Sequence, residues 1–286
     1  MLQWGTSYLA EKGIGESRLT VELLLSHVLQ LKRIELYTKF DRPLSEDELS
    51  SFKLAFKRRL KHEPIQYIIG TTEFMGLEFQ VDKRVLIPRP ETEILVEQAV
   101  RYARERFSGQ PIRILDAGTG SGCIAVSLAK MIQGSTVLAV DISPGALEVA
   151  ESNASKNGVQ TQIRFEERDI LRTGQKDFPA AFHLVLSNPP YISASEIAAL
   201  PPEVREFEPG YAVGDGGDGY TFYRHFAGVA RSWLDEGGAL MMEVAYNQGD
   251  GVRHIFAKEG WRDVRVEKDY DGNPRCLMAF PAEGHS

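Results

Sequence analysis

Apolar positions along this chain change their spacing twice. Up to about residue 62 they recur at helical intervals, with Leu19, Leu23, Leu24, Val28 and Leu31 on one face. Ser45, with Glu48 three positions on, forms a capping box ahead of Leu49, Phe52, Leu54, Ala55 and Phe56. Pro64 ends this stretch, so a small helical bundle is expected over 1–62. The period then shortens. Tyr67-Ile68-Ile69-Gly70, followed by Glu73 to Val81, reads as strands about a glycine turn, a β-hairpin linker over 63–86. Ile87-Pro88-Arg89-Pro90-Glu91-Thr92 reads as a rigid loop, and Glu91 to Arg104 as a helix.

From residue 112 short apolar runs alternate with helical patterns. The runs are 112–115, 137–140, 163–165, 182–186, 240–244, 264–266 and 276–280, with helices such as Cys123–Ile132 and Pro144–Asn153 between them. That alternation predicts an α/β fold, a seven-stranded Rossmann-like sheet with helices on both faces. The last two runs are joined across Asp271-Gly272-Asn273, so the final strand is expected to be antiparallel. The third segment of the chain, 87–286, is read as one sheet domain.

Composition narrows the class. Of 286 residues, 43% are hydrophobic and 26% charged, ordinary for a water-soluble globular chain. No apolar run reaches the roughly 18–20 residues of a membrane span, and Met1-Leu2-Gln3-Trp4-Gly5 lacks signal-peptide features. Cys123 and Cys276 form no metal or redox motif, so a cytoplasmic protein with reduced thiols is expected. Residues 1–62 hold 11 Lys and Arg against 8 Asp and Glu, whereas the remainder holds 22 against 32. So acidic a remainder argues against direct binding of a nucleic-acid backbone. The run Lys57-Arg58-Arg59-Leu60-Lys61 reads as a solvated helix end, with a docking contact for an acidic partner as the alternative.

Candidate chemistry gathers where the apolar runs stop. Asn188-Pro189-Pro190-Tyr191 follows the run 182–186, and two prolines after an Asn force the strand to end in a stiff loop. One amide, freed backbone carbonyls and one aromatic ring there suit a planar NH2-bearing acceptor. Asp116-Ala117-Gly118-Thr119-Gly120-Ser121-Gly122 follows the first sheet strand and opens a helix. The dinucleotide fingerprint needs glycine at 123, where Cys123 stands, and there is no Gly-Lys-Ser/Thr of a P-loop. Asp141, 23 residues after Gly118, can accept from two ribose hydroxyls. Asp169 can accept from an adenine amino group with Ile170 against the ring. Singly, such acids are surface residues or helix caps. Three acids at successive strand ends converge on the edge where open sheets bind ligands, which points to a nucleoside cofactor. S-adenosylmethionine needs no pyrophosphate-binding turn and fits the glycine spacing. No His-Glu-x-x-His spacing occurs, so no catalytic metal is expected, and Ser121 is not in a Gly-x-Ser-x-Gly elbow.

With these motifs together, the chain resembles class I S-adenosylmethionine-dependent methyltransferases. More closely it resembles the release-factor glutamine methyltransferases, the HemK/PrmC family. The resemblance rests on the helical front end, Glu63 to Gly70, Phe74, Leu86-Ile87-Pro88-Arg89-Pro90-Glu91-Thr92-Glu93, the glycine loop, Val140-Asp141, Asn188 to Ile192, Phe207-Glu208-Pro209 and Gly216 to Gly219. The chain departs from the family's usual pattern at Ala117 and in the loop Gly214-Asp215-Gly216-Gly217-Asp218-Gly219. The resemblance implies methylation of the side-chain amide nitrogen of the Gln in the Gly-Gly-Gln motif of class 1 peptide chain release factors. S-adenosylmethionine would be the donor and S-adenosylhomocysteine the product. It implies a cofactor site of Asp116, Gly118, Thr119, Gly120, Ser121, Gly122, Asp141, Asp169 and Ile170, with Asn188 shared. On the acceptor side, the Asn188 oxygen and the Pro189 carbonyl would accept the two amide hydrogens. Tyr191 would pack against the flat amide beside Pro190, and Arg89 and Glu91 either scaffold their loop or touch the substrate. The helical front end would recognise the substrate. The alternatives are glutamine methylation of a ribosomal protein, adenine-N6 methylation of nucleic acid, and a catalytically silent cofactor-binding module.

Overall fold

The computed structural model describes residues 1–178, 181–269 and 271–281. The chain divides into two compact units, Met1–Thr71 with Leu200–Phe207, and Thr72–Ala199 with Glu208–Ser286. No helix among the described residues is long and apolar enough to cross a membrane.

The first unit holds α1 (Leu2–Glu11), α2 (Ser17–Leu29), α3 (Glu35–Thr38), α4 (Glu46–Arg59) and α5 (Ile65–Ile69). Leu9, Val21, Leu24, Phe52, Phe56 and Ile68 close its core. The expected capping box starts α4: Ser45 Oγ accepts from the Glu48 amide at 3.2 Å, and Glu48 Oε2 accepts from the Ser45 amide at 2.9 Å. Two readings need correction. Tyr67 to Gly70 is no strand. Pro64 leads into the helical turn α5 and Gly70, at φ +87°, closes it, while Tyr67 and Ile68 turn inward. A three-residue apolar run carries too little periodicity to tell helix from strand. The basic run at the end of α4 is also not wholly solvated. Arg59 is buried and pairs with Glu203 at 2.9 Å, whereas Arg58 pairs with Glu63.

The hairpin is shorter and later than expected: β1 (Thr71–Phe74) and β2 (Leu77–Gln80) meet at Met75-Gly76, both at positive φ (51° and 71°). A two-residue turn with both central residues left-handed matches the twist of the strands it joins. Glu93 Oε1 accepts from the Met75 amide at 2.6 Å and ties this turn to α6 (Pro90–Arg106).

The sheet strands are β3 (Arg113–Ala117), β4 (Thr136–Asp141), β5 (Ile163–Glu167), β6 (Phe182–Ser187), β7 (Leu234–Glu243), β8 (Asp263–Lys268) and β9 (Pro274–Phe280). Their order is β5-β4-β3-β6-β7-β9-β8. The first five are parallel, and β9 runs antiparallel between β7 and β8, as expected for the final strand. Helices α7 (Cys123–Met131) and α8 (Pro144–Lys156) return the chain after β3 and β4. Both sheet faces are covered. Ile114, Leu184 and Leu186 enter one core, and Leu115, Val185 and Leu240 enter the other. Strands buried on both sides read as continuous apolar runs, which is why the central strands are visible in the sequence; the edge strands β5 and β8 are partly exposed and mixed. The chain begins the sheet at β3, winds outward to β5, then returns to β6 beside β3 and winds the other way. Between β3 and β6 the winding reverses, the place where open sheets bind ligands.

Candidate active site

The loop after β3 is built from below. Asp116 is fully buried, and its Oδ2 accepts from Thr119 Oγ1 at 2.7 Å and from the Ala125 amide at 3.1 Å. Burial pushes its carboxyl up to about 7, against those two hydrogen bonds. Gly118, Gly120 and Gly122 all have positive φ (78°, 55° and 80°). At Gly122 a Cβ would also stand 3.0 Å from Ala150 Cβ, so the glycine lets α7 pack onto α8. Gly118 and Thr119 donate to the Val140 carbonyl, which locks the loop against the end of β4.

A cavity of about 400 Å³ opens over this edge. It brings together Gly118, Thr119, Gly120, Ser121, Asp141, Asp169, Ile170, Asn188, Pro190 and Arg89 from the sequence-derived set. Among the described residues, Asp116, Gly122, Pro189, Tyr191 and Glu91 do not line it. Asp116 and Gly122 shape the loop from beneath. Asp141 accepts from the Gly120 amide at 2.8 Å on Oδ2 and from the Ser143 amide at 2.9 Å on Oδ1. Burial raises its pKa, opposed by the same backbone donors. Asp169 caps the turn at Ile170, accepting from the Leu171 amide at 3.0 Å, and pairs with Arg172. Cys123 also lines the cavity, and burial pushes its thiol up to about 12.

Above the cavity runs the strap 84–89. Tyr211 donates to the Arg84 carbonyl at 3.1 Å, and Arg89 Nη2 stands 2.6 Å from Glu208 Oε2. Glu208 is buried, which raises its pKa although Arg89 acts against that. Tyr211, Arg84, Phe222 and Arg168 all line the cavity and were missed in the sequence, where each reads as an ordinary surface or helix residue.

Asn188 leaves β6 next to Ser187, whose hydroxyl donates to the Ala117 carbonyl at 2.7 Å and pins the ends of β6 and β3 together. Asn188 Nδ2 donates to Thr92 Oγ1 at 3.1 Å. Thr92 Oγ1 donates to Glu243 Oε2 at 2.5 Å, and the Tyr191 hydroxyl donates to Glu243 Oε1 at 3.2 Å. The Tyr191 ring is therefore anchored through its hydroxyl to Glu243, not set at the cavity wall. Burial raises the pKa of Glu243, opposed by these two hydroxyls, and raises that of Tyr191. Glu243 ends β7, so it is a further strand-end acid. The signal that singled out Asp141 was present there too.

Loop 214–219 supports the same turn. Asp215 accepts from the amides of Gly217, Gly219 and Thr221. Gln248 Nε2 donates to the carbonyls of Tyr191 (3.0 Å) and Gly219 (3.3 Å). The departure from the usual family spacing in this loop thus folds around Asp215.

A glycine loop, a strand-end acid and a proline-locked Asn thus stand around one cavity at the winding reversal. Residues 109–254 match the methyltransferase domain family, and residues 1–70 match the PrmC N-terminal domain. The chain is 43% identical to a release factor glutamine methyltransferase of Geobacter sulfurreducens, over 97% of this chain and 94% of the relative. It is 44% identical to one of Chlorobaculum tepidum, over 98% and 96%. In fold it is similar to a methyltransferase from Pyrococcus furiosus, with a TM-score of 0.50 and 17% identity over 72% of this chain and 89% of that one. The chain belongs to the release factor glutamine methyltransferase family.

Proposed function

We propose that this protein transfers a methyl group from S-adenosylmethionine to the side-chain amide nitrogen of the Gln in the Gly-Gly-Gln motif of class 1 peptide chain release factors. The observation that carries this reading is Asn188 on the wall of the same cavity as Asp141 and the glycine loop. The residues fit the cofactor. Among the described residues nothing lies within 4 Å of where a Cβ would stand on Gly118 or Gly120, which keeps that loop face open. Backbone amides at Gly120 and Ser143 order the two Asp141 oxygens, and the carboxylate keeps lone pairs for ribose hydroxyls. Asp169 and Ile170 would receive the adenine. When bound, S-adenosylmethionine supplies an electrophilic methyl group on a sulfonium.

An amide nitrogen is a poor nucleophile because its lone pair is delocalised into the carbonyl. In-line positioning is therefore a large part of the catalysis. The Asn188 oxygen, on the cavity wall, accepts one hydrogen of the substrate amide, and the other is assigned to the carbonyl of the adjoining Pro189, which lies just outside the cavity lining. They hold its nitrogen in line and stabilise positive charge developing on it. Tyr191 and Pro190 stiffen the loop that presents these acceptors. The nitrogen loses its proton after transfer, when it is far more acidic. Arg89, paired with Glu208, borders the acceptor side of the cavity, and Glu91 starts the helix behind it. The first unit recognises the release factor. Both cysteines of the chain are buried and unpaired, which suits the reducing cytoplasm.

The test is incubation with labelled S-adenosylmethionine and, in turn, release factor, ribosomal proteins and DNA. Label on the Gly-Gly-Gln glutamine is expected. Label on a ribosomal protein or DNA instead would overturn the reading.

A further inference from the structure

Asn188 presents an amide whose oxygen and nitrogen are nearly the same size. Rotating it by 180° costs nothing in space, so packing cannot choose which atom faces the cavity. Hydrogen bonding must choose, and the structure contains a chain of donors that does so. Glu243 accepts from the Tyr191 hydroxyl on Oε1 and from Thr92 on Oε2. A threonine hydroxyl has one hydrogen, and the ionised Glu243 carboxylate, which can only accept, takes it. Only lone pairs of Thr92 Oγ1 are left for Asn188, so the group facing Thr92 must be the NH2, as found at 3.1 Å.

We propose that Thr92 and Glu243 are positioning residues that set the amide orientation of Asn188 and so turn its oxygen toward the substrate nitrogen. The proposal rests on the methyl-transfer reading given above and deepens it. With Thr92 Oγ1 gone, the amide is free to flip. A flipped Asn188 meets the substrate NH2 with its own NH2, donor against donor, and the acceptor that holds the nitrogen in line is lost. Thr92 and Glu243 lie 151 positions apart, one in the first turn of α6 and one at the end of β7. Thr92 lines the cavity beside Asn188 whereas Glu243 does not, and the role assigned to both is to orient Asn188. The Ile-Pro-Arg-Pro-Glu-Thr segment thereby gains a physical role, since its prolines fix the start of α6 and the start of α6 delivers the Thr92 hydroxyl.

The experiment compares the full-length protein with Thr92→Val, which keeps the shape and removes the hydroxyl, and Thr92→Ser, which keeps the hydroxyl. Methylation of a purified class 1 release factor gives kcat and KM, and titration with S-adenosylhomocysteine gives cofactor affinity. Thr92→Val is expected to lower kcat by about 10–10²-fold while cofactor affinity stays within about threefold. Thr92→Ser is expected to recover kcat to about tenfold or more above the Val variant. A Val variant with kcat within about twofold of wild type overturns the relay. So does a Ser variant as slow as Val, because the hydroxyl is then not what matters. A Val variant that also loses the cofactor or does not fold assigns Thr92 to the fold and overturns it too. If the wild-type protein itself labels no glutamine, it is the underlying reading that fails, and that result is distinct from all of these.

Discussion

Asp116 accepts a hydrogen bond from Thr119 at 2.7 Å beneath the glycine loop, on a carboxyl whose pKa burial raises to about 7. Below about pH 7 the folded protein thus holds this acid mainly protonated. Its folded pKa is raised from 3.8 to about 7, so the stability it contributes is present below the unfolded pKa. That contribution is lost as pH rises through the folded value. Asp116→Asn mimics the protonated acid. Between pH 4 and 8 the wild type should lose stability relative to this variant, on the order of 4 kcal/mol. Denaturant unfolding of both proteins across that range is the check, and parallel curves would show that Asp116 does not titrate there.

Asp141 stands at the cavity with both oxygens already ordered by backbone amides. Asp141→Ala should weaken S-adenosylhomocysteine by roughly 10–10²-fold, the loss of charge-assisted bonds to ribose hydroxyls. Calorimetric titration measures it. Unchanged affinity would remove Asp141 from the cofactor site.

For Asn188 the expected pattern is the reverse. Asn188→Ala should lower kcat by about 10²-fold or more and leave cofactor affinity within about tenfold. Single-turnover methylation of a release factor separates the two effects, and near-normal turnover would sink the assignment.

Gly219 has φ +85°, and a Cβ there would lie 2.6 Å from the Tyr191 carbonyl oxygen and 2.7 Å from Gln248 Nε2. Gly219→Ala should therefore cost roughly 1–3 kcal/mol and displace the turn that carries Asn188. A lowered melting temperature together with reduced kcat is expected. A variant as stable and active as wild type would mean the loop yields freely.

In the first unit, Lys53 and Lys57 border an apolar hollow formed by Trp4, Tyr8, Phe52 and Phe56. If this unit recognises the release factor, Lys53→Glu with Lys57→Glu should raise KM for the intact factor by about tenfold, as for loss of rim charges steering a partner. Methylation of a short Gly-Gly-Gln peptide should not change. Equal effects on both substrates would place the role elsewhere.

Much of this was legible in the residues themselves. The central strands were visible because a sheet covered on both faces must be apolar at nearly every position, whereas the edge strands β5 and β8, partly exposed, showed only short apolar runs. Asn188-Pro189-Pro190 declared a strand end because proline cannot donate to a ladder. Ser45 and Glu48 announced α4 because a capping box is a local bond pattern. Tyr67 to Ile69 misled because so short an apolar run fits either period, and only Gly70 and the packing of Ile68 chose the helix.

Chemistry close in sequence could thus be read from the chain by itself: the glycine loop, Asp141 at its strand end, the stiff Asn188 turn, and the family resemblance that joins them. Tertiary structure alone decided which groups meet. It put Asp116 under the loop rather than in the cavity, and it bound Tyr191 to Glu243. It also brought Thr92 between Glu243 and Asn188. Hydrogen bonds between residues 96 or 151 positions apart leave no periodic trace in a sequence. They exist only once the sheet edge and the first turn of α6 are folded side by side.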